Sequence, residues 1–113
     1  MAFSDVYIGE LGRRGALDWG GDPKVSNTPK RIGPMFPHLP GFRGPWFKLN
    51  ASIRDGILDG KQVDWGAIAA RVTVPELRAF VHRCYGDDVA PQLAEFIAGL
   101  DPDRSYALVG TDL

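Results

Sequence analysis

Cysteine is nearly absent from this chain: Cys84 is the only one, so no internal disulfide can form, which points to a reducing, cytoplasmic setting rather than a secreted one. Histidine occurs twice, as His38 and His82, and His38 has no nearby residues at metal-ligand spacing. No apolar run approaches the roughly 18 residues that would suggest a membrane span. The first residues, Met1-Ala2-Phe3-Ser4-Asp5, lack the basic stretch and apolar core of a signal peptide. Neither sign of charge dominates, since thirteen bases and fourteen acids leave a net −1. A dedicated nucleic-acid domain is usually far more basic, so a nucleic-acid partner is disfavoured even though bases and aromatics interleave from Lys24 to Arg54.

What remains suits one globular domain, residues 1–113. Hydrophobic residues make up 44% and charged residues 24%, a composition that can bury a core and argues against wholesale disorder. The charge is uneven along the chain. Residues 1–54 hold eight bases and four acids, a net +4; residues 55–113 hold five bases and ten acids, a net −5. Such a division mostly serves solubility, but it also offers a face of one sign to a partner.

The C-terminal half is strongly periodic. Trp65, Ile68, Ala69 and Val72 recur at i, i+3, i+4, i+7, which predicts a helix capped by Asp64. Thr73-Val74-Pro75-Glu76 reads as a capping box, with Val72 and Leu77 placed for a hydrophobic staple. Leu77, Phe80, Val81 and Cys84 continue that second helix, and Gly86 stops it. Asp87-Asp88 opens a third, with Pro91 in its first turn and Leu93, Phe96, Ile97 and Leu100 on one face. Asp101-Pro102-Asp103 breaks the chain, and Tyr106 to Val109 reads as a closing strand.

The N-terminal half gives fewer signals. Val6-Tyr7-Ile8 is a short strand. From Phe47 to Arg54 apolar and polar residues alternate strictly, which predicts a half-buried strand. Asp55-Gly56 then suggests a hairpin turn with a strand returning from Ile57. A helix is the rival, because Leu49, Ile53 and Ile57 align at i, i+4. Between these strands, residues 18–46 hold six of the nine prolines and five glycines, together with Trp19, Phe36, Phe42 and Trp46. Loops this long in small domains tend to be functional or disordered. The aromatics favour a packed strap, with Trp46 on the core and Phe36 and Phe42 available near its tip.

Candidate chemistry is sparse. Pro34, Pro37 and Pro40 share a polyproline II spacing, and Arg31 to Pro37 matches a motif read by aromatic grooves, although a stiff strap over the core explains the same residues. His82 and Cys84 lie two apart on a helix and so point away from one another. Cys84 is expected to be buried and unreactive. Asp101, Asp103 and Ser105 imitate a calcium loop but place Tyr106 where a glycine is needed. Gly9, Gly12 and Gly15, with Arg13-Arg14 between them, form no nucleotide-binding motif.

The expected fold is therefore α+β: a small antiparallel sheet of three or four strands against three amphipathic helices, with a long Pro/Gly-rich loop. The expected order is β, loop, β, α, α, α, β. No cofactor or metal is called for. The function expected is protein binding, by an accessory, inhibitor or immunity-type module. It would act through the aromatic loop (Trp19, Arg31, Phe36, His38, Phe42, Arg43, Trp46) or through the acidic helical face. The alternative is a small cofactor-free enzyme or small-molecule binder. Its pocket would lie between sheet and loop, lined by Trp19, Phe36, Trp46 and Trp65, with Asp18, Asp22, His38 or Arg43 as polar groups.

Overall fold

A computed structural model describes residues 4–11, 31–38, 44–64 and 67–112. The elements are β1 (Ser4–Gly9), α1 (Pro45–Arg54), β2 (Asp59–Asp64), β3 (Ala67–Thr73), α2 (Val74–Tyr85), α3 (Pro91–Ala98) and β4 (Ser105–Asp112). The four strands form one antiparallel sheet in the order β1-β4-β3-β2. The fold is thus α+β with three helices, as the sequence suggests, but the element order differs.

The predicted first helix is a strand. Residues 67–73 pair with β4 from Ala67 opposite Thr111 to Thr73 opposite Ser105. Ile68, Ala70 and Val72 belong to the main core, whereas Ala69 belongs to a second cluster on the other side of the sheet. A strand buried on both faces has no polar alternation, and its apolar run imitated a helical stripe. Asp64, read as the N-cap, ends β2 instead, and Trp65 lies outside the described residues.

The opposite correction applies to residues 47–54, which are helical. Pro45 sits at the first helical position, where its fixed φ favours a start and its missing N–H costs nothing. The buried side of α1 is Pro45, Leu49 and Ser52, a helical spacing that the period-two pattern concealed. Ser52 Oγ donates to the Lys48 carbonyl at 2.8 Å, which satisfies this buried hydroxyl. The Asp55-Gly56 pair closes the helix rather than a hairpin. Gly56 has φ +75°, its N–H donates to Ile53 O, and the Ile57 N–H donates to Ser52 O at 2.9 Å. That is the paired bonding of a Schellman end. The returning strand begins two residues later, at Asp59.

Helix α2 starts where the capping box lies. The Glu76 N–H donates to Thr73 Oγ1 at 3.3 Å, and the Thr73 N–H donates to Glu76 Oε1 at 3.0 Å. Val72 and Leu77, the staple pair, are both fully buried. Gly86, at φ +59°, ends the helix with its N–H on the His82 carbonyl. Helix α3 begins at Pro91 with Ala90 as N-cap, three to four residues beyond the acidic pair expected to open it.

All three helices contribute to one core with the sheet. Val6, Ile8, Val72 and Leu108 from the strands meet Leu49, Leu77, Phe80, Leu93 and Ile97 from the helices. Close approach is secured by glycine. A Cβ on Gly110 of β4 would lie 2.9 Å from Trp46 and 3.1 Å from Leu49, so α1 could not rest on β4 at its present height with any other residue there. Phe80 alone, fully buried, contributes on the order of 1.5–3 kcal/mol by leaving water. A smaller cluster, Tyr7, Ala69, Ala107 and Val109, occupies the second side of the sheet.

Candidate functional site

Of the seven residues expected to form a binding loop, Trp19, Phe42 and Arg43 lie outside the described residues, as do Asp18, Asp22 and Trp65. The other four do not share an exposed surface. Segment 31–38 runs beside the free edge of β1: Arg31 bridges Gly9, the Ile32 N–H donates to Ile8 O at 3.0 Å, and the Phe36 N–H donates to Val6 O at 2.8 Å. These bonds cover a sheet edge that would otherwise be open to foreign strands. Phe36 is 1% exposed, with its ring 5.9 Å from Phe80 and 6.3 Å from Tyr85. It is a core residue, which corrects its expected place at an available tip. The Tyr85 hydroxyl donates to the Pro37 carbonyl at 2.7 Å and pins the segment from the helix side.

Arg31 and His38 are exposed at the two ends of this segment. His38 Nε2 lies 3.5 Å from Asp5 Oδ1 on β1. Trp46 is half-buried on α1 and meets Phe47 edge-on at 5.4 Å. Its Nε1 is buried with no hydrogen-bond partner among the described residues.

Cys84, expected to be buried, is half-buried. Burial pushes its thiol up to about 12, and the nearby Lys48 and Arg83 offset this only in part. His82 is exposed on another side of α2. Asp101 and Asp103 build a turn: Asp101 Oδ1 accepts from the Asp103 N–H at 3.0 Å, and the Asp101 N–H donates to the Tyr106 hydroxyl at 3.1 Å. No cluster of three or more His, Cys, Asp or Glu side chains suited to a metal ion occurs among the described residues, and none of the described helices is long and apolar enough to cross a membrane.

Charge, by contrast, is organised. Asp87, Asp88, Glu95, Asp101 and Asp103 are all exposed on α3 and its flanking loops, and none of the five is in an ion pair among the described residues. The one base in this stretch, Arg104, lies over the Tyr106 ring at 5.8 Å. Pro91, Gln92, Ala94 and Ala98, also exposed, are uncharged. Around α1 the sign reverses. Lys48, Arg54 and Arg83 are exposed there; Arg83 donates to Ser52 Oγ at 3.4 Å, and Arg54 meets Asp55 at 3.3 Å.

A groove of about 290 Å³ opens between α2 and α3, lined by Arg78, Val81, His82, Gly86, Val89, Ala94 and Ile97. The sequence reading did not single it out. Its one signal was the i, i+3, i+4 spacing of Arg78, Val81 and His82, which places them on one side of α2. Compared with protein-family models, curated proteins and solved structures, the chain matches none.

Proposed function

We propose that this chain is a protein-binding module of the accessory, inhibitor or immunity type, docking a basic surface of its partner with the acidic face of α3. The observation that carries this reading is the set of five exposed carboxylates between Asp87 and Asp103, unpaired among the described residues. Like charges collected along one short stretch of chain repel one another, and a cationic partner relieves that repulsion. Rim charges of this kind accelerate encounter and select partners more than they add affinity. Supporting it, α3 is short, begins with a proline, and its exposed residues other than Glu95 are the uncharged Pro91, Gln92, Ala94 and Ala98. Such a surface can be approached closely with little side-chain ordering.

The burial of Phe36 moves the emphasis from the aromatic loop to this acidic face. Segment 31–38 acts as an edge guard that holds β1. The test is retention of partners from the native host on immobilised protein, followed by mass spectrometry. A partner retained at low salt should be released as salt rises, because exposed charge pairs are screened. Equal retention by an Asp87→Lys, Asp88→Lys, Glu95→Lys variant would remove the acidic face from the account.

A further inference from the structure

The groove between α2 and α3 differs in chemistry from the acidic face beside it. Its floor is aliphatic: Val81 and Ile97 are each 4% exposed, and Val89 and Ala94 complete the walls. Its walls are low at two small residues. Ala94 presents only a methyl group, and the space beside Gly86 is open, since a Cβ built there would meet nothing within 4 Å. Its two charged or ionisable lining residues are Arg78 and His82, both exposed and one helical turn apart. That spacing puts their Cβ atoms about 5–6 Å from each other. Neither is in an ion pair among the described residues, and no acid lines the groove, although Asp87, Asp88 and Glu95 stand close to it in sequence.

We infer that this groove is a binding site for a small aliphatic monocarboxylic acid, with its tail on Val81, Val89, Ala94 and Ile97 and its carboxylate on Arg78 and His82. Charge complementarity selects the head group. An arginine fork takes a carboxylate through two parallel hydrogen bonds, and a ring N–H of His82 adds a third donor. Volume selects the tail. About 290 Å³ lies just below the roughly 300–1,000 Å³ of drug-sized ligand sites, enough for a short branched chain and too little for a folded surface. An ammonium or neutral head group would leave the guanidinium unanswered.

The probe is isocaproate, added to the intact protein while backbone amide resonances are followed. Saturable shifts are expected at Val81, Gly86, Val89, Ala94 and Ile97, with none from isocaproamide, the neutral analogue. Arg78→Gln should weaken binding about tenfold, the usual effect of losing a charge-assisted hydrogen bond. Ala94→Phe should abolish it by filling the trough. Both positions are exposed, so both variants should fold; Arg71→Gln, on β3, should bind as the wild type does. The inference is overturned by an absence of saturable shifts at millimolar isocaproate, by equal binding of the amide, or by undiminished binding in Arg78→Gln and Ala94→Phe. Tighter binding of an acetylated peptide ending in leucine would also overturn it, because the groove would then belong to a chain terminus.

Discussion

Helices α1 and α3 share one core and present opposite charge. Around α1, Lys48, Arg54 and Arg83 face solvent; around α3, Asp87, Asp88, Glu95, Asp101 and Asp103 do. Below the surface the two regions obey the same rule. Leu49 fixes α1 and Leu93 with Ile97 fixes α3, all within one apolar cluster. The charges are not what holds either helix down. Exposed ion pairs contribute little, with a median near 0–1 kcal/mol, and Arg54–Asp55 is the only such pair at α1 among the described residues. Charge separation of this kind is therefore free to serve recognition, while packing serves the fold.

The comparison requires a shared core, and the largest expected effect tests that. Phe80→Ala should destabilise the protein by roughly 3–5 kcal/mol, and denaturant unfolding monitored at α1 and at α3 should show one coincident transition. Two separate transitions would mean that the helices do not share a core. A smaller effect should separate them. In Gly110→Ala the new methyl meets Trp46, Leu49 and Ile68 at 2.9–3.2 Å, an overpacking that costs about 1–3 kcal/mol. Resonances of α1 should move and those of α3 should not. Gly33→Ala is the mirror experiment. There the atoms nearest the methyl lie along one side of the Phe96 ring, at 2.5–2.9 Å; that ring is half-buried at the margin of the core and can turn, so the loss should be smaller and felt at α3.

Helix α2 lies in the same core, and its start is a third test. Thr73→Ala removes the oxygen that accepts the Glu76 N–H and should lower stability by about 1 kcal/mol, read from the denaturant midpoint. A midpoint equal to the wild type would mean that the capping box carries no weight. Cys84 supplies a fourth test. Its thiol is pushed from an ordinary 9.0 to about 12 by burial. The folded protein therefore keeps a proton that the unfolded chain loses, so stability is unaffected below about pH 9 and falls as pH rises toward 12. Thiol-reagent labelling of the native protein near neutral pH should be correspondingly slow, and rapid labelling would contradict the raised thiol pKa.

These elements also show what a sequence of this kind discloses. Thr73 to Glu76 disclosed α2 because a cap is local: donor, acceptor and spacing all lie within four residues. The closing strand was legible in Tyr106 to Val109 for the same reason. Residues 67–73 were not, because their pattern is set by two clusters on opposite sides of the sheet, and single-face periodicity cannot represent both. Residues 47–54 alternated as a strand would, yet α1 is decided by contacts distant in sequence, with Trp46 and Leu49 settling over Gly110. The exposed acids around α3 were legible as a charge excess, since surface charge needs no partner within the chain. The groove was not, because Val89, Ala94 and Ile97 meet Arg78 and His82 only once α3 folds back on α2.

The smallest expected effect on stability is also the most decisive for function. Reversing Asp87, Asp88 and Glu95 to lysine should change stability by no more than about 0.5 kcal/mol for each site, as exposed substitutions do. The measurement that tests the central claim is partner retention from the native host, run in parallel on wild type, on this α3 variant and on a Lys48→Glu, Arg54→Glu variant of α1. The account predicts a salt-sensitive partner held by the wild type and the α1 variant and lost by the α3 variant. Retention by the α3 variant, or loss confined to the α1 variant, would contradict it.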